Sequence, residues 1–368
     1  MQADEGVPPP EEISCGEQVF DISFHPTMDF LAVGLINGHS NIYKYSSSPG
    51  VPSSLVLNMN NHLSSCRGVE FDHSGQGLYT ISSDRSIVAL NGEGVIVSKR
   101  NDAHDNPINK IICMAENSFA TGDDAGVVKI WDNRTSKPTS EFTMHHDFVA
   151  DFCYNPHANV LLSVGGDATL CAYELRSKKN SRQSDEQEAE LQCVECIKDG
   201  RKVVCGTQDG VIITFSWGRW GDCSDRYPGH PESVDCMLKV DESTLLTGSS
   251  DGLVRVVQIQ PNSILGVIGD HDTFPVEGMG RSYDGNVLCT YAHDEVLRFW
   301  DISMFADDVA EDGGGKTGSN WAPTGIDDDG SSGFETEDSS DSDSDCGPGV
   351  GGGRIKIATA AEKFFADL

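Results

Sequence analysis

The chain has 368 residues, of which 38% are hydrophobic, with 58 acidic and 26 basic side chains and a net charge of −32. Such an acidic composition excludes non-specific nucleic-acid binding, which needs a basic surface, so we expect no direct nucleic-acid contact and any RNA connection to run through protein partners. The sequence has no apolar run long enough for a membrane span, and its acidic, proline-rich N-terminus is unlike a secretory signal.

A short sequence pattern recurs seven times along the chain: a small or hydroxyl residue, a tight turn, then a strand with alternating apolar residues. Successive turn positions are 47, 41, 42, 42, 42 and 43 residues apart, at Asn37, Asp84, Ala125, Asp167, Asp209, Asp251 and Asp294. A period near forty, with Trp-Asp closing two copies, is typical of four-stranded blades arranged in a ring. The sequence therefore predicts an all-β fold, a seven-bladed WD-repeat (WD40) β-propeller over residues 13–305.

Both ends of the chain lie outside the repeats. Residues 1–12 are predicted to be disordered, and Glu12–Cys15 is predicted to supply the fourth strand of blade seven, removing a free sheet edge. Residues 306–353 are acidic and of low complexity, so we expect a disordered tail. The last segment, 354–368, is a short motif in which apolar spacing over 357–367 predicts an amphipathic helix on binding.

The tail also contains serines that lie among acidic residues, as in substrates of acidophilic kinases. The candidate phosphorylation sites are Ser339, Ser340, Ser342 and Ser344. Phosphorylation there would add negative charge to an already acidic segment.

Several blades carry residues for a buried hydrogen-bond chain of a loop His, a strand Ser or Thr, a turn Asp and a strand Trp. Blade seven offers the whole set: His271, Thr290, Asp294 and Trp300. Blade three offers His104, Thr121 and Trp131 but has Ala125 where the Asp is expected, and blade six has Val257 in place of the Trp. Such a network stiffens each blade. Because it is buried and closed to substrate, we expect no catalysis from it.

Metal and cofactor signals are weak. Cys193 and Cys196 form a CxxC, but they fall in a predicted strand, where residues three apart face opposite sides. The Gly-Gly-Gly runs follow no strand and open no helix, so they predict no phosphate loop. The twelve cysteines are expected to be reduced core residues. We expect no metal site, no cofactor and no enzymatic activity.

An Arg follows the third strand in two neighbouring blades. Arg134 ends the run Ile130–Arg134, and Arg176 ends the weaker copy Tyr173–Arg176, so both should project from one rim of the ring. A rim Arg is either a solvated strand end or an interface anchor through bidentate pairing, and two adjacent copies favour the interface. The basic run 176–182 is either a nuclear import signal or a solvated loop.

Longer motifs point to a family. They are DISFHP at 21–26, TGDDAGVVKIWDNR at 121–134, GRKVVCGTQDG at 200–210, the SWG and DCSDR segment at 216–226, AHDEVLRFWD at 292–301 and FFADL at 364–368. With these motifs, the chain resembles plant-type members of the WD repeat-containing protein 55 family, nearly end to end over the ring and at the extreme C-terminus.

The resemblance implies a non-enzymatic scaffold in the nucleus and nucleolus, with some cytoplasmic protein. It carries two functional hypotheses. The WDxR residues match the box of substrate receptors that dock on the damaged DNA-binding adaptor of cullin-4 RING ubiquitin ligases, a role that falls on Trp131, Asp132, Arg134 and, less closely, Arg176. The alternative is a nucleolar scaffold that binds pre-ribosomal proteins during rRNA processing and ribosome biogenesis without a ligase. Either way, we expect a monomeric ring within larger complexes.

Overall fold

Seven four-stranded antiparallel sheets form the structure, a computed structural model that describes residues 9–46, 51–177 and 180–305. Each sheet is one blade, so the predicted seven-bladed β-propeller is confirmed. The predicted tail, its serines and the FFADL motif lie outside the described residues. Among the residues that are described, no helix has the length and apolar character to span a membrane.

The strands follow the chain in order, from the innermost to the outermost of each blade. Blade one comprises β2 (Val19–Phe24), β3 (Phe30–Leu35), β4 (His39–Lys44) and β5 (Ser54–Asn60). Blade two comprises β6 (Cys66–Phe71), β7 (Gly77–Ser82), β8 (Ile87–Asn91) and β9 (Ile96–Arg100). Blade three comprises β10 (Ile108–Ala115), β11 (Ser118–Asp123), β12 (Val128–Asp132) and β13 (Ser140–Phe142).

The remaining blades repeat this order until the last. Blades four to seven comprise β14 (Val149–Asn155), β15 (Val160–Gly165), β16 (Leu170–Glu174) and β17 (Arg182–Gln183); β18 (Leu191–Ile197), β19 (Lys202–Thr207), β20 (Val211–Ser216) and β21 (Asp225–Pro228); β22 (Val234–Lys239), β23 (Thr244–Ser249), β24 (Leu253–Gln258) and β25 (Ser263–Asp270); and β26 (Val276–Arg281), β27 (Val287–Ala292), β28 (Val296–Asp301) and β1 (Ile13–Ser14). A 3₁₀ turn, Ser303–Phe305, follows β28.

The N-terminal strand β1 completes blade seven, as the sequence predicted. Ile13 pairs with Leu297 and Ser14 with Val296, both on β28. Ile13 is only 6% exposed and packs into the apolar cluster that joins blades seven and one. The ring is therefore closed by residues from both ends of the repeat region.

Close packing between blades explains the small residues of the repeated sequence pattern. A Cβ at Gly122 would lie 2.6 Å from Cβ of Val149 on the next blade, and one at Gly248 would lie 2.7 Å from Cγ1 of Val276. Any larger residue would push the neighbouring blade away. In the described part of the chain, seven apolar clusters each join one blade to the next. Its eleven cysteines are all free, and most are buried among these strands.

Replacing Ile13 tests how much stability the closing strand contributes. We expect Ile13→Ala to lower the free energy of unfolding by about 2–4 kcal/mol, because it removes a buried side chain that links the first and last blades. Ser14→Ala is the matched control, since Ser14 is exposed on the same strand. Urea denaturation followed by fluorescence measures both variants, and equal midpoints would contradict a closing role for β1.

Candidate protein-interaction face

The end of β12 and the loop that follows it, residues 132–139 and here called the rim loop, start from a buried aromatic anchor. The Trp131 side chain is 2% exposed, and its Nε1 donates to Thr121 Oγ1 at 2.8 Å. Its ring stacks on Phe119 with centroids 6.2 Å apart, and the Arg100 guanidinium of blade two lies 5.6 Å above it. The first residues of the rim loop are thereby fixed to two blades.

Further contacts hold the rim loop in place. Arg100 Nη2 donates to the Thr135 carbonyl at 3.1 Å, and Asn133 Nδ2 donates to the Tyr79 hydroxyl. Sequence reasoning missed Arg100, Asn133 and Tyr79. No local pattern marks them, because each contact joins blade three to blade two.

Arg134 is exposed but not unpaired. Its side chain is 74% exposed, and its Nε and Nη2 donate to the two carboxylate oxygens of Asp132 at 2.9 and 2.6 Å. The Arg134 backbone N–H also donates to Asp132 Oδ1 at 2.9 Å. These hydrogen bonds from Arg134 lower the pKa of Asp132 to about 2. The pair presents an oriented guanidinium at the rim rather than a freely rotating side chain.

Arg176 follows the third strand of blade four and is also exposed. Loops that follow the third strands of neighbouring blades lie on one face of a propeller, so the structure places Arg176 on the face of Arg134. Glu174 does not act as Asp132 does, because its Oε2 accepts from Asn180 Nδ2 at 2.9 Å. In blade seven, Asp301 accepts from the Ser303 backbone N–H at 2.9 Å, so the turn is repeated there without an Arg.

The buried hydrogen-bond chain is present in blade seven. Trp300 Nε1 donates to Thr290 Oγ1 at 2.7 Å, and the same hydroxyl lies 2.7 Å from His271 Nε2. The last link is longer: His271 Nδ1 lies 3.5 Å from Asp294 Oδ2, and the two atoms form no hydrogen bond. Arg298 Nη2, at 3.2 Å, competes for that carboxylate oxygen.

The prediction that blade three lacks the Asp of this hydrogen-bond chain is wrong. Asp123, two residues before Ala125, supplies the carboxylate, with its Oδ2 2.9 Å from His104 Nδ1. A carboxylate only accepts, so His104 donates through Nδ1 and receives the Thr121 hydroxyl at Nε2, 2.7 Å away. Burial lowers the pKa of His104, which keeps the ring neutral as this chain of bonds requires.

In other blades, different residues take part in the buried hydrogen-bond chain, and the sequence did not predict these replacements. Blade four has Tyr173 in place of the Trp: Ser163 Oγ lies 3.1 Å from its hydroxyl and 2.6 Å from His145 Nε2. In blade six, Asp251 is bonded to Arg255 instead, at 2.5 and 2.9 Å. Within the described residues, the His230 side chain bonds Thr247, and its Nδ1 has no partner. Burial lowers the pKa of His230 to about 4, with the charge of Arg255 adding to the shift.

The first strands of all seven blades line a central channel of about 860 Å³. Its walls carry seven carboxylates and two cations: Asp21, Glu70, Asp124, Asp151, Glu195, Asp235, Glu277, Arg67 and Lys110. Burial, with the nearby charge of Asp21, raises the pKa of Glu70 to about 8, and burial with Asp151 raises that of Glu195 to about 7. In the described part of the chain, no three His, Cys, Asp or Glu side chains are grouped to hold a metal ion.

Comparison with known proteins identifies the family to which this chain belongs. The family model described as WDR55 matches residues 10–305. This chain belongs to the WDR55 family. A WD repeat-containing protein 55 of Arabidopsis thaliana is 40% identical over 311 residues, which cover 83% of this chain and 87% of the relative. The mouse protein of that name is 36% identical over 304 residues, covering 82% and 78%.

A fungal relative extends the same family comparison. WD repeat-containing protein JIP5 of Coprinopsis cinerea is 38% identical over 309 residues, covering 80% of this chain and 74% of the relative. The resemblance stated from the sequence motifs is therefore confirmed. As a member of the WDR55 family, the chain is a WD-repeat scaffold for protein interactions.

The Thr121 hydroxyl can be tested against its counterpart in blade six. Thr121→Val leaves both Trp131 Nε1 and His104 Nε2 buried without a partner, and we expect a loss of about 2–3 kcal/mol in unfolding free energy. Thr247→Val is the matched control, because Val257 occupies the Trp position and only His230 loses a bond. Urea denaturation should show a smaller loss for the control, and equal losses would contradict the Trp131 contribution.

The channel carboxylates predict an unusual pH dependence. Since the folded-state pKa of Glu70 is raised, the native state holds a proton that the unfolded chain releases, so stability falls as the pH rises from about 4.5 towards 8. Glu70→Gln keeps that site neutral and should reduce the loss between pH 5 and 8 by about 1–2 kcal/mol.

Urea denaturation at several pH values measures the effect of Glu70. Glu141→Gln, at an exposed outer strand, controls for the removal of one negative charge. Parallel stability profiles for wild type and Glu70→Gln would show that Glu70 is ionised in the native state.

Proposed function

We propose that this chain is a substrate receptor that docks on the damaged DNA-binding adaptor subunit of cullin-4 RING ubiquitin ligases. The docking surface is the face that carries the rim loop and Arg176. The observation that carries the proposal is the bidentate Asp132–Arg134 pair, which is exposed yet fixed at the end of a buried Trp.

The cost of using Arg134 at an interface is low. Solvent screens an ion pair at the surface, so exchanging Asp132 for a carboxylate of the adaptor sacrifices little stability. The guanidinium is already oriented by two hydrogen bonds to Asp132, and the Arg134 backbone N–H donates a third to the same carboxylate. An Arg that is ordered before binding loses less conformational entropy on docking, and Arg is enriched among residues that dominate interfaces.

Arg176 supports the same surface from the next blade. Its strand β16 packs beside blade three through the cluster that contains Ile130 and Tyr173. Since Glu174 is engaged by Asn180, Arg176 has no equivalent of the Asp132 clamp from that residue. We therefore assign Arg134 the larger share of adaptor affinity and Arg176 the smaller.

Arginine substitutions test this assignment. We expect Arg134→Ala to weaken adaptor binding at least about tenfold, and Arg134→Ala with Arg176→Ala to weaken it further, because the interface loses its charged anchors. Surface plasmon resonance with purified adaptor measures the affinities. Thermal unfolding should be unchanged, since both side chains are exposed.

Arg201→Ala is the matched control for that experiment. Arg201 is exposed, pairs with Asp199 at 3.1 Å, and lies on the same face of the ring but in blade five. It should leave adaptor binding unchanged. Wild-type affinity in the Arg134 and Arg176 double variant would overturn the proposal.

The alternative is a nucleolar scaffold for rRNA processing that works without a ligase, and its support is the family resemblance. We place the protein in the nucleus, where both functions operate. Replacing endogenous protein with the double variant separates them. Normal rRNA precursors on depletion, together with adaptor binding that the double variant loses, favour the receptor, whereas precursors that accumulate on depletion and return to normal with the double variant favour the scaffold.

A further inference from the structure

Blade five departs from its neighbours at the site of the buried histidine. In blades two, three, four and six, a His lies four residues before the first strand, and in blade seven it lies five before: His62, His104, His145, His230 and His271. Each bonds a Thr or Ser of the second strand at 2.6 to 2.9 Å. Blade five has Gln187 at the position of the His and Cys205 at that of the Thr.

Gln187 makes a different contact from that of the histidines. Its Nε2 turns back to the Asp185 carbonyl of its own loop, at 2.8 Å. A cavity of about 150 Å³ is left between that loop and the β19–β20 turn. A cavity of that volume holds a group about as large as benzene and is below the roughly 300 Å³ of small-molecule sites, so it fits one side chain.

The walls of this cavity are mainly apolar and its mouth is acidic. Ala189, Val211, Ile213 and Pro228 supply the apolar surface. Asp209 lies at the mouth, where its Oδ1 accepts from Thr207 Oγ1 at 2.5 Å. Asp209 forms no ion pair within the described ranges.

Among the residues that the structure describes, Arg226 is the one cation that lines the cavity, and it is already paired with an acid. Arg226 Nη1 pairs with Glu188 at 2.9 Å, and its Nε donates to Cys223 Sγ at 3.2 Å. The loop that carries Gln187 adds further acids at Asp185, Glu186 and Glu190. The mouth therefore favours a positive charge, while the interior favours methylene groups.

We propose that this cavity is a binding site for one lysine side chain of a partner protein. Its aliphatic stem lies against Val211 and Ile213, and its ammonium pairs with Asp209, an arrangement that suits the amphipathic character of lysine. The cavity lies at the face of the second-to-third-strand turns, opposite the rim loop. It is thus available to a target while the other face is engaged, and it does not depend on the proposed adaptor contact.

A lysine analogue tests the site on the full-length chain. The probe is Nα-acetyl-lysine amide, and the neutral isostere Nα-acetyl-norleucine amide and Nα-acetyl-arginine amide are the comparisons. With methyl-labelled Val and Ile, we expect the lysine probe to give saturable NMR shifts at Val211 and Ile213. The isostere and the arginine probe should bind at least about tenfold more weakly. No saturable shift, or equal or tighter binding of either comparison, would overturn the proposal.

Two variants locate the contacts. Asp209→Asn should weaken the lysine probe about tenfold and leave the isostere unchanged, whereas Glu232→Gln, an exposed acid on the same face outside the cavity, should change neither. Gln187→His with Cys205→Thr rebuilds the buried set and should abolish binding of every probe. Unaltered lysine binding in Asp209→Asn would contradict the assignment, whether or not the rebuilt variant folds.

Discussion

The ring depends on the pairing of two residues, Ile13 and Ser14, with the third strand of blade seven. Every other blade that the structure describes is made of consecutive strands, so this pair adds to the direct packing of blades seven and one a strand from the other end of the repeat region. Closure gives each blade two packed neighbours, and the apolar cluster between blades seven and one is then equivalent to the other six. Without β1, the third strand of blade seven would be a free sheet edge.

Within that ring, polar interactions in the blades set the geometry of the surface. The bond from Trp131 to Thr121 fixes the end of β12, and therefore the start of the loop that presents Arg134. Blade five lacks the equivalent histidine, and a cavity opens at the opposite face. The repeated core thus produces a similar frame seven times. Blades that depart from the repeated buried hydrogen-bond chain have the surfaces that distinguish one blade from another.

Most of the fold could be predicted from the sequence, because a period of about 42 residues and the alternation of apolar residues are local signals. Even the closing strand was predictable, since blade seven had no fourth strand of its own. The partners of buried groups were harder to predict. Asp123 replaces the turn carboxylate from two positions away, and Tyr173 replaces a Trp. The WDxR residues mark Arg134 in the sequence, but its clamp on Asp132 depends on a side-chain rotamer, and Arg100 approaches from another blade, so neither contact is visible along the chain.

The closing strand also decides where mechanical load enters the molecule. Residue 13 and the last described residue, Phe305, flank the same sheet, since β1 pairs with β28 and the turn Ser303–Phe305 follows that strand directly. A pull on the N-terminal side, as by an unfolding motor, is transmitted first to the two paired residues of β1, whereas a pull on the C-terminal side loads β28, which also pairs with β27. Extraction from either side would therefore act first on blade seven, and the six blades of consecutive strands would follow.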